Sequence, residues 1–232
     1  MKQASPPSDQ LIYERMISAV LNHQLPPGTK LVEERLAAAF GVSRTRIRPV
    51  LLRLANEKVV TLTPNRGAAI SEPTEQEARE VFEVRRMIEP LLVERFISRA
   101  STADIQMLKS CIRDEEAASK AGDMRRAIRL SGDFHLKIAE HAGHLTLGGI
   151  LRELVSRTSL ILMAYSAPLS QERQDATACG CQEHRGLISA IQLRDVQAAA
   201  RLMREHLERL ESQLSFTPPR DATPDLLELF GT

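Results

Sequence analysis

Apolar residues recur at intervals of three and four along almost the whole chain after residue 9, and proline and glycine fall between the periodic stretches, the pattern of successive amphipathic helices. The first such run, Asp9 to His23, is ended by "LPPGTKL", and a short second run, Glu33 to Phe40, stops at Gly41, a residue suited to a left-handed cap. Ser43 offers its hydroxyl as N-cap to a third run, Arg44 to about Lys58. Strand signal is nearly absent. The exception is "VVTLTPNRGAAIS", Val59 to Ser71, where two short runs rich in Val, Thr, Leu and Ile flank the turn cluster Pro64-Asn65-Arg66-Gly67 and predict a β-hairpin. From Glu75 the spacing predicts six helices of roughly 20 residues, at about 75–99, 102–120, 123–142, 145–166, 170–193 and 195–215.

The pattern divides the chain into a flexible start (1–9), a three-helix module closed by a hairpin (10–71), a linker (72–76), an all-α bundle (77–215) and a Pro-rich tail (216–232). In the linker Pro73 ends extended structure, and Thr74 is set to cap a helix whose first turn carries Glu75 and Glu77. The tail holds one short apolar segment, Leu226 to Phe230, expected to dock loosely.

With 232 residues, 43% hydrophobic and 26% charged, the chain has material for two small cores. No apolar run approaches the roughly 18 residues needed to cross a bilayer, and residues 1–10 lack a secretion signal, so the cytoplasm is the expected compartment. Three cysteines, Cys111, Cys179 and Cys181, then read as reduced thiols. Charge changes the picture more. The total is +1, yet residues 1–71 carry ten Lys/Arg against five Asp/Glu, leaving 21 against 25 for the rest, so one end is built to meet a polyanion.

That charge gathers on the third helix. Arg44 and Arg48 share a face, Thr45 adds a hydroxyl beside them, and Ile47, Val50, Leu51 and Leu54 take the opposite side. Arginine pairs two-pronged with guanine or bridges phosphates. Pro49 removes one backbone donor and crowds the carbonyl of Thr45, a fault costing about 3 kcal/mol inside a helix, and predicts a bend or a tight first turn. Short helix, sharp turn at Gly41-Val42-Ser43 and basic second helix together describe a helix-turn-helix, with the hairpin as its wing.

On these residues, "EERLAAAFGVSRTRIRPVLLRLANEKVV…NRGAAIS", the stretch from about Leu11 to Ser71 resembles the winged helix-turn-helix of the GntR family of bacterial transcription regulators. Members typically show Ser-Arg-Thr-Pro-Val-Arg-Glu-Ala-Leu at the second helix; this chain keeps Ser43, Arg44, Thr45, Arg48 and Leu51 but has Arg46 for the proline and Pro49 for the glutamate. By position the resemblance puts DNA contacts on Arg35 in the shorter helix, on Arg44 and Arg48 in the recognition helix and on Gly67 at the wing tip. Thr45, Arg46 and Arg66 complete the candidate DNA-facing set.

The second half, about Thr74 to Ser215, resembles the FCD effector domain of the FadR branch of that family, through "EVRRMIEPLLVERF", "LSGDFHLKIAEHAGH" and "CQEHRGLISAIQLRDVQAAARLMREHLERL". Many such domains hold a metal with one Asp and three His. The histidines map to His135, His184 and His206, whereas Ser131 stands at the aspartate position four residues before His135. Asp133 cannot substitute, because two residues along a helix is about 200° of rotation. Three neutral imidazoles with open positions suit Zn²⁺, Ni²⁺ or another borderline divalent ion; three separately hydrogen-bonded polar residues is the alternative. Arg85, one turn from Glu89, either makes a surface pair with it or points inward to clamp a carboxylate. Arg85, Ser131 and the three histidines form the candidate effector site. Cys179-x-Cys181-x-x-His184 has the look of a ligand cluster, but the two cysteines lie on different helix faces and reduced thiols is the better reading. His141 and His144 flank Gly143 as capping residues, and His23 needs no special role.

The fold class expected is therefore mainly α: a winged helix-turn-helix followed by an FCD-like six-helix bundle. The resemblance implies a homodimer on an inverted-repeat double-stranded DNA operator, with a small-molecule effector in the bundle, no membrane and no catalysis. The rival readings are a metal-dependent hydrolase built on the three histidines and an architectural DNA binder without an effector.

Overall fold

The computed structural model describes residues 7–166 and 172–216, with side chains described for all of these except 172–179. The expectations for residues 1–6, for the Cys179 thiol and for the tail segment Leu226–Phe230 lie outside the described residues. By internal contacts the described residues separate into two compact units, one up to Pro73 that also takes in Ser159–Ala164, the other Thr74–Thr158 with those from Tyr165 to Phe216.

In the first unit, α1 (Asp9–Leu21) starts at Ser8, whose side chain accepts from the Leu11 amide. Helix α2 (Glu33–Phe40) ends at Gly41 with φ 64°, the left-handed geometry that a side chain resists. Helix α3 (Arg44–Asn56) follows after two residues and buries Ile47, Val50, Leu51 and Leu54. Pro49 stays inside α3, and the first turn is tight, with the Arg46 amide donating to the Ser43 carbonyl at 3.0 Å. The Ser43 hydroxyl does not cap the helix as its position suggests. It lies 2.7 Å from the Thr45 hydroxyl instead, so a neighbouring side chain competes with the backbone for it.

Strands β2 (Val60–Thr63) and β3 (Gly67–Ile70) pair antiparallel, with Val60 opposite Ile70 and Thr63 opposite Gly67. A third strand, β1 (Lys30–Leu31), pairs with the other edge of β3, giving the order β1-β3-β2. This corrects the expectation that strand structure is limited to the hairpin. Ile12, Met16, Leu36, Phe40, Ile47, Leu51, Leu54, Val60 and Ile70 form one buried core under the three helices and the sheet, joined by Leu160.

The second unit is helical among its described residues: α4 (Glu75–Arg99), α5 (Thr102–Lys120), α6 (Met124–His141), α7 (Leu145–Tyr165) apart from its Ser159–Ala164 stretch, which counts with the first unit, α8 (Glu172–Gln192) and α9 (Val196–Ser212). Local caps set the starts. Thr74 and Glu77 form a reciprocal capping box for α4, Ser101 and Asp104 one for α5, and the side chains of Asp123 and Asp195 cap α6 and α9. The His144 ring nitrogen accepts from the Leu147 amide at the start of α7, while His141 turns to the Lys137 carbonyl and to Asp104. Helix α4 packs on α6 and α9, α5 on α6 and α8, and α8 on α9. Phe82, Phe96, Phe134, Leu108, Ile138, Leu187 and Leu207 are buried there. The three histidines are therefore brought together from α6, α8 and α9.

Candidate nucleic-acid interface and metal centre

With four apolar residues of α3 facing inward, its polar face is left to solvent: Arg44, Thr45 and Arg48 are exposed. One carboxylate organises the two arginines. Glu33, the first residue of α2, receives the Arg48 Nε at 3.0 and 2.9 Å on its two oxygens and lies 3.8 Å from the Arg44 Nε. Arg46 turns away from them, donating to Asp9 at 2.9 and 2.7 Å and to the Pro7 carbonyl at 2.7 Å. Arg35 on α2, Arg66 in the turn and Gly67 at the start of β3 are exposed. The φ of 85° at Gly67, with no atom within 4 Å of the position a Cβ would take, leaves the wing tip bare backbone. The interface is thus a set of solvated cations on a rigid helix, able to exchange a protein carboxylate for phosphate or a base edge.

The histidines form the second site. One ring nitrogen from each of His135, His184 and His206 lies within 4.8 Å of the others. Every Nδ1 faces a carboxylate: His135 to Glu89 at 2.5 Å, His184 to Glu115 at 3.0 Å, His206 to Glu183 at 2.6 Å. An Nδ1–H donated to a carboxylate leaves the lone pair on Nε2, the tautomer a metal requires. The Nε2 atoms of His184 and His206 are buried without a hydrogen-bond partner, an arrangement that costs free energy unless something fills it. Phe134 stacks on the His184 ring with centroids 4.3 Å apart and fixes its plane. Three neutral nitrogens with carboxylates behind them fit a borderline divalent cation.

Electrostatics agree with that chemistry. Burial pushes the His135 pKa down to about 4 against the opposing pull of Glu89, and does the same to His206 against Glu183. Burial alone would raise the Glu89 carboxyl, but Arg85 and His135 overcome it and hold the group down at about 2. At neutral pH the two imidazoles are uncharged and Glu89 is an anion.

Arg85 is buried, so the surface pair with Glu89 is set aside. Its Nε donates to Glu89 at 2.6 Å, and a terminal nitrogen donates to the Thr158 hydroxyl at 3.2 Å. Ser131 is half-buried one turn before His135. Asp133 lies 3.8 Å from Arg129 and is not among the clustered ligand atoms. Cys181 is also outside that cluster: burial first, then the Glu115 carboxylate, pushes its thiol up to about 12, so it stays protonated. Sequence reasoning passed over Glu89, Glu115 and Glu183, since a glutamate on a helix ordinarily marks a solvated face. The only local signal was the Arg85–Glu89 spacing.

Comparisons with known proteins agree with this architecture. Residues 80–209 match the family described as FCD domain, and residues 9–70 match bacterial regulatory proteins, gntR family. The HTH-type transcriptional repressor RspR of Escherichia coli is 21% identical over 208 residues, spanning 90% of this chain and 89% of the relative. The gluconate operon transcriptional repressor of Bacillus licheniformis is 26% identical over 199 residues, spanning 84% and 80%. The solved structure of E. coli McbR/YncC superposes with a TM-score of 0.78 at 20% identity, covering 89% of this chain and 95% of that one, a likeness of fold. A winged helix-turn-helix followed by a helical FCD domain, each matched along its length, makes this chain a member of the GntR family of bacterial transcription regulators, of the FadR-like kind.

Proposed function

We propose that the chain acts as a homodimer on an inverted-repeat operator and that a small organic acid, bound in the helical domain beside a divalent transition ion, controls its affinity for DNA. The observation that carries the DNA half is the pair Arg44 and Arg48, exposed on a helix whose other face is fully committed to the core. Arg35, Thr45, Arg66 and Gly67 are further contacts, and Arg46 joins them by exchanging Asp9 for phosphate. Two-fold symmetry in the protein calls for two-fold symmetry in the site. Relatives named as repressors support repression that the effector relieves, and we assign the protein to the cytoplasm, where its DNA is.

His135, His184 and His206 would hold Zn²⁺ or Ni²⁺, which supplies a Lewis-acidic centre able to take a carboxylate oxygen. Arg85 and Ser131 belong to the same effector site. Among the described residues the carboxylates that reach the histidines, Glu89, Glu115 and Glu183, all sit behind the imidazoles, committed to Nδ1, which disfavours a hydrolytic reading. Any effector must discriminate between DNA-competent and incompetent states to act as a switch.

The test selects duplexes from a random pool with the purified protein and measures anisotropy with the enriched sequence. Arg48→Ala and Arg44→Ala should each abolish specific binding while leaving the circular dichroism spectrum unchanged. Undiminished binding by both variants would refute the interface. A screen of small carboxylates by thermal shift, with and without Zn²⁺ or Ni²⁺, then tests the effector: a hit must also release DNA.

A further inference from the structure

The three histidine–carboxylate pairs differ in what balances the carboxylate. Glu89 accepts from the Arg85 guanidinium on its second oxygen, at 2.6 Å. Glu183 pairs on its second oxygen with Arg209. Glu115, on α5, has no such cation. Its side chain is 3% exposed and its partners are the His184 Nδ1 at 3.0 Å and the Cys181 thiol, both uncharged donors when the ring is neutral. Among the described residues no lysine or arginine lies within ion-pairing distance of it; Arg185, next to His184 in sequence, gives its guanidinium to the neighbouring Glu116 at 2.5 Å. A buried carboxylate without a cation is one of the costliest arrangements a fold can hold.

The same ring carries a second anomaly on its far side. The Nε2 of His184 is buried and has no hydrogen-bond partner. One imidazole therefore joins an anion without a counter-charge to a lone pair without a donor. A cation at Nε2 resolves both at once, because positive charge there polarises the ring and strengthens the Nδ1–H bond to the carboxylate.

Resting on the metal-site reading above, we infer that Glu115 is the buried counter-charge of the ion held by His135, His184 and His206, balanced through the His184 ring where Glu89 and Glu183 are balanced by arginines. Glu115 is thus a positioning residue for the metal centre, and the metal-free fold carries its charge at a cost. Neither Glu89 nor Glu183 should behave this way, because neutralising Glu89 strands the buried Arg85, and Glu183 already has the Arg209 guanidinium as its counter-charge.

The inference separates from a merely structural role by the sign of one effect. Glu115→Gln keeps the shape and an acceptor for Nδ1–H but removes the charge. Using the full chain stripped with a chelator, Glu115→Gln should melt about 2–4 °C higher than wild type, a shift of the size one favourable interaction produces in a chain of this length. It should also bind Zn²⁺ roughly 10- to 100-fold more weakly in competition with a chromophoric chelator. Glu89→Gln should melt lower than wild type without metal, and Glu116→Gln should match wild type in Zn²⁺ affinity. A metal-free Glu115→Gln that melts lower or fails to fold overturns the inference, as does a Zn²⁺ affinity within twofold of wild type. Wild-type protein that takes up neither Zn²⁺ nor Ni²⁺ fails the metal reading itself and removes the inference with it, an outcome distinct from normal wild-type uptake with an indifferent variant.

Discussion

Acidification of the metal-free protein should cost stability in a window that the histidine cluster defines. His135 and His206 are held near pKa 4 in the fold, whereas an unfolded imidazole titrates near 6.5. Their folded values are depressed, so the unfolded chain binds more protons between those limits, and the stability each contributes is complete above about 6.5 and lost as pH falls toward 4. At pH 5 each unfolded imidazole has gained its proton while each folded one has not. The difference is about 1.5 pK units per site, or about 2 kcal/mol, and about 4 kcal/mol for the two. Glu89, held near 2 by Arg85 and His135, stabilises above its ordinary range near 4.5 and weakens the fold only below it, so it leaves the window from 6.5 to 5 undisturbed. Asp133, pushed up by burial, works in the opposite direction. The assay is urea unfolding of chelator-treated protein by far-ultraviolet circular dichroism at pH 7.5, 6 and 5, for wild type and for a His135→Gln, His206→Gln double variant. The wild type should lose about 4 kcal/mol more than the double variant across that range. Equal losses in the two proteins would refute the argument that the fold keeps these rings neutral.

Two further outcomes follow from the winged unit. Replacing Glu33, which receives Arg48 and lies beside Arg44, by glutamine should free both cations; binding to arbitrary-sequence duplex should tighten and its dependence on salt steepen, measured by anisotropy between 50 and 200 mM salt. Leu51→Ala, in a residue 2% exposed at the centre of the core, should cost about 2–5 kcal/mol in urea unfolding, with DNA binding lost only in proportion to the unfolded fraction.

Much of the fold was legible because its determinants are local. Thr74 with Glu77, and Ser101 with Asp104, are complete start signals within four residues, and α4 and α5 occupy 75–99 and 102–120 as the spacing predicts. The third and sixth helices of the bundle end short of their expected limits, at His141 and Ser212; the former stops at the Ala142 cap, followed by Gly143 in the left-handed region at φ 68°. Strand β1 was illegible for the opposite reason: two residues carry no periodicity, and Lys30–Leu31 is a strand only because Ala68 and Ala69 lie alongside it. The same division holds for the histidine site. Three histidines on three helices could be named from the family pattern, but the carboxylates behind them could not. Glu89 reaches His135 across 46 residues and Glu115 reaches His184 across 69, while Glu183, adjacent to His184 in sequence, serves His206 instead. Burial of Arg85 was equally hidden, since an arginine and a glutamate four apart on a helix look the same whether the face is wet or dry.

Both candidate sites use one device, a carboxylate that orients a functional nitrogen, and exposure decides what each can do. Glu33 and Arg48 are 32% and 59% exposed, and an ion pair so solvated is worth about 0–1 kcal/mol. Phosphate can displace that carboxylate at little cost, so on the proposed reading the arginines arrive aligned yet free to bind, and binding to DNA should weaken as salt rises. Glu89 and His135 are each 2% exposed. Separating a pair of that kind leaves a polar group stranded away from water, so the imidazole cannot rotate to seek another partner. A reversible contact therefore belongs to the winged unit, and a fixed ligand geometry to the helical one. Ionic strength should move the affinity for DNA over orders of magnitude and leave the affinity for Zn²⁺ at the histidines nearly unchanged.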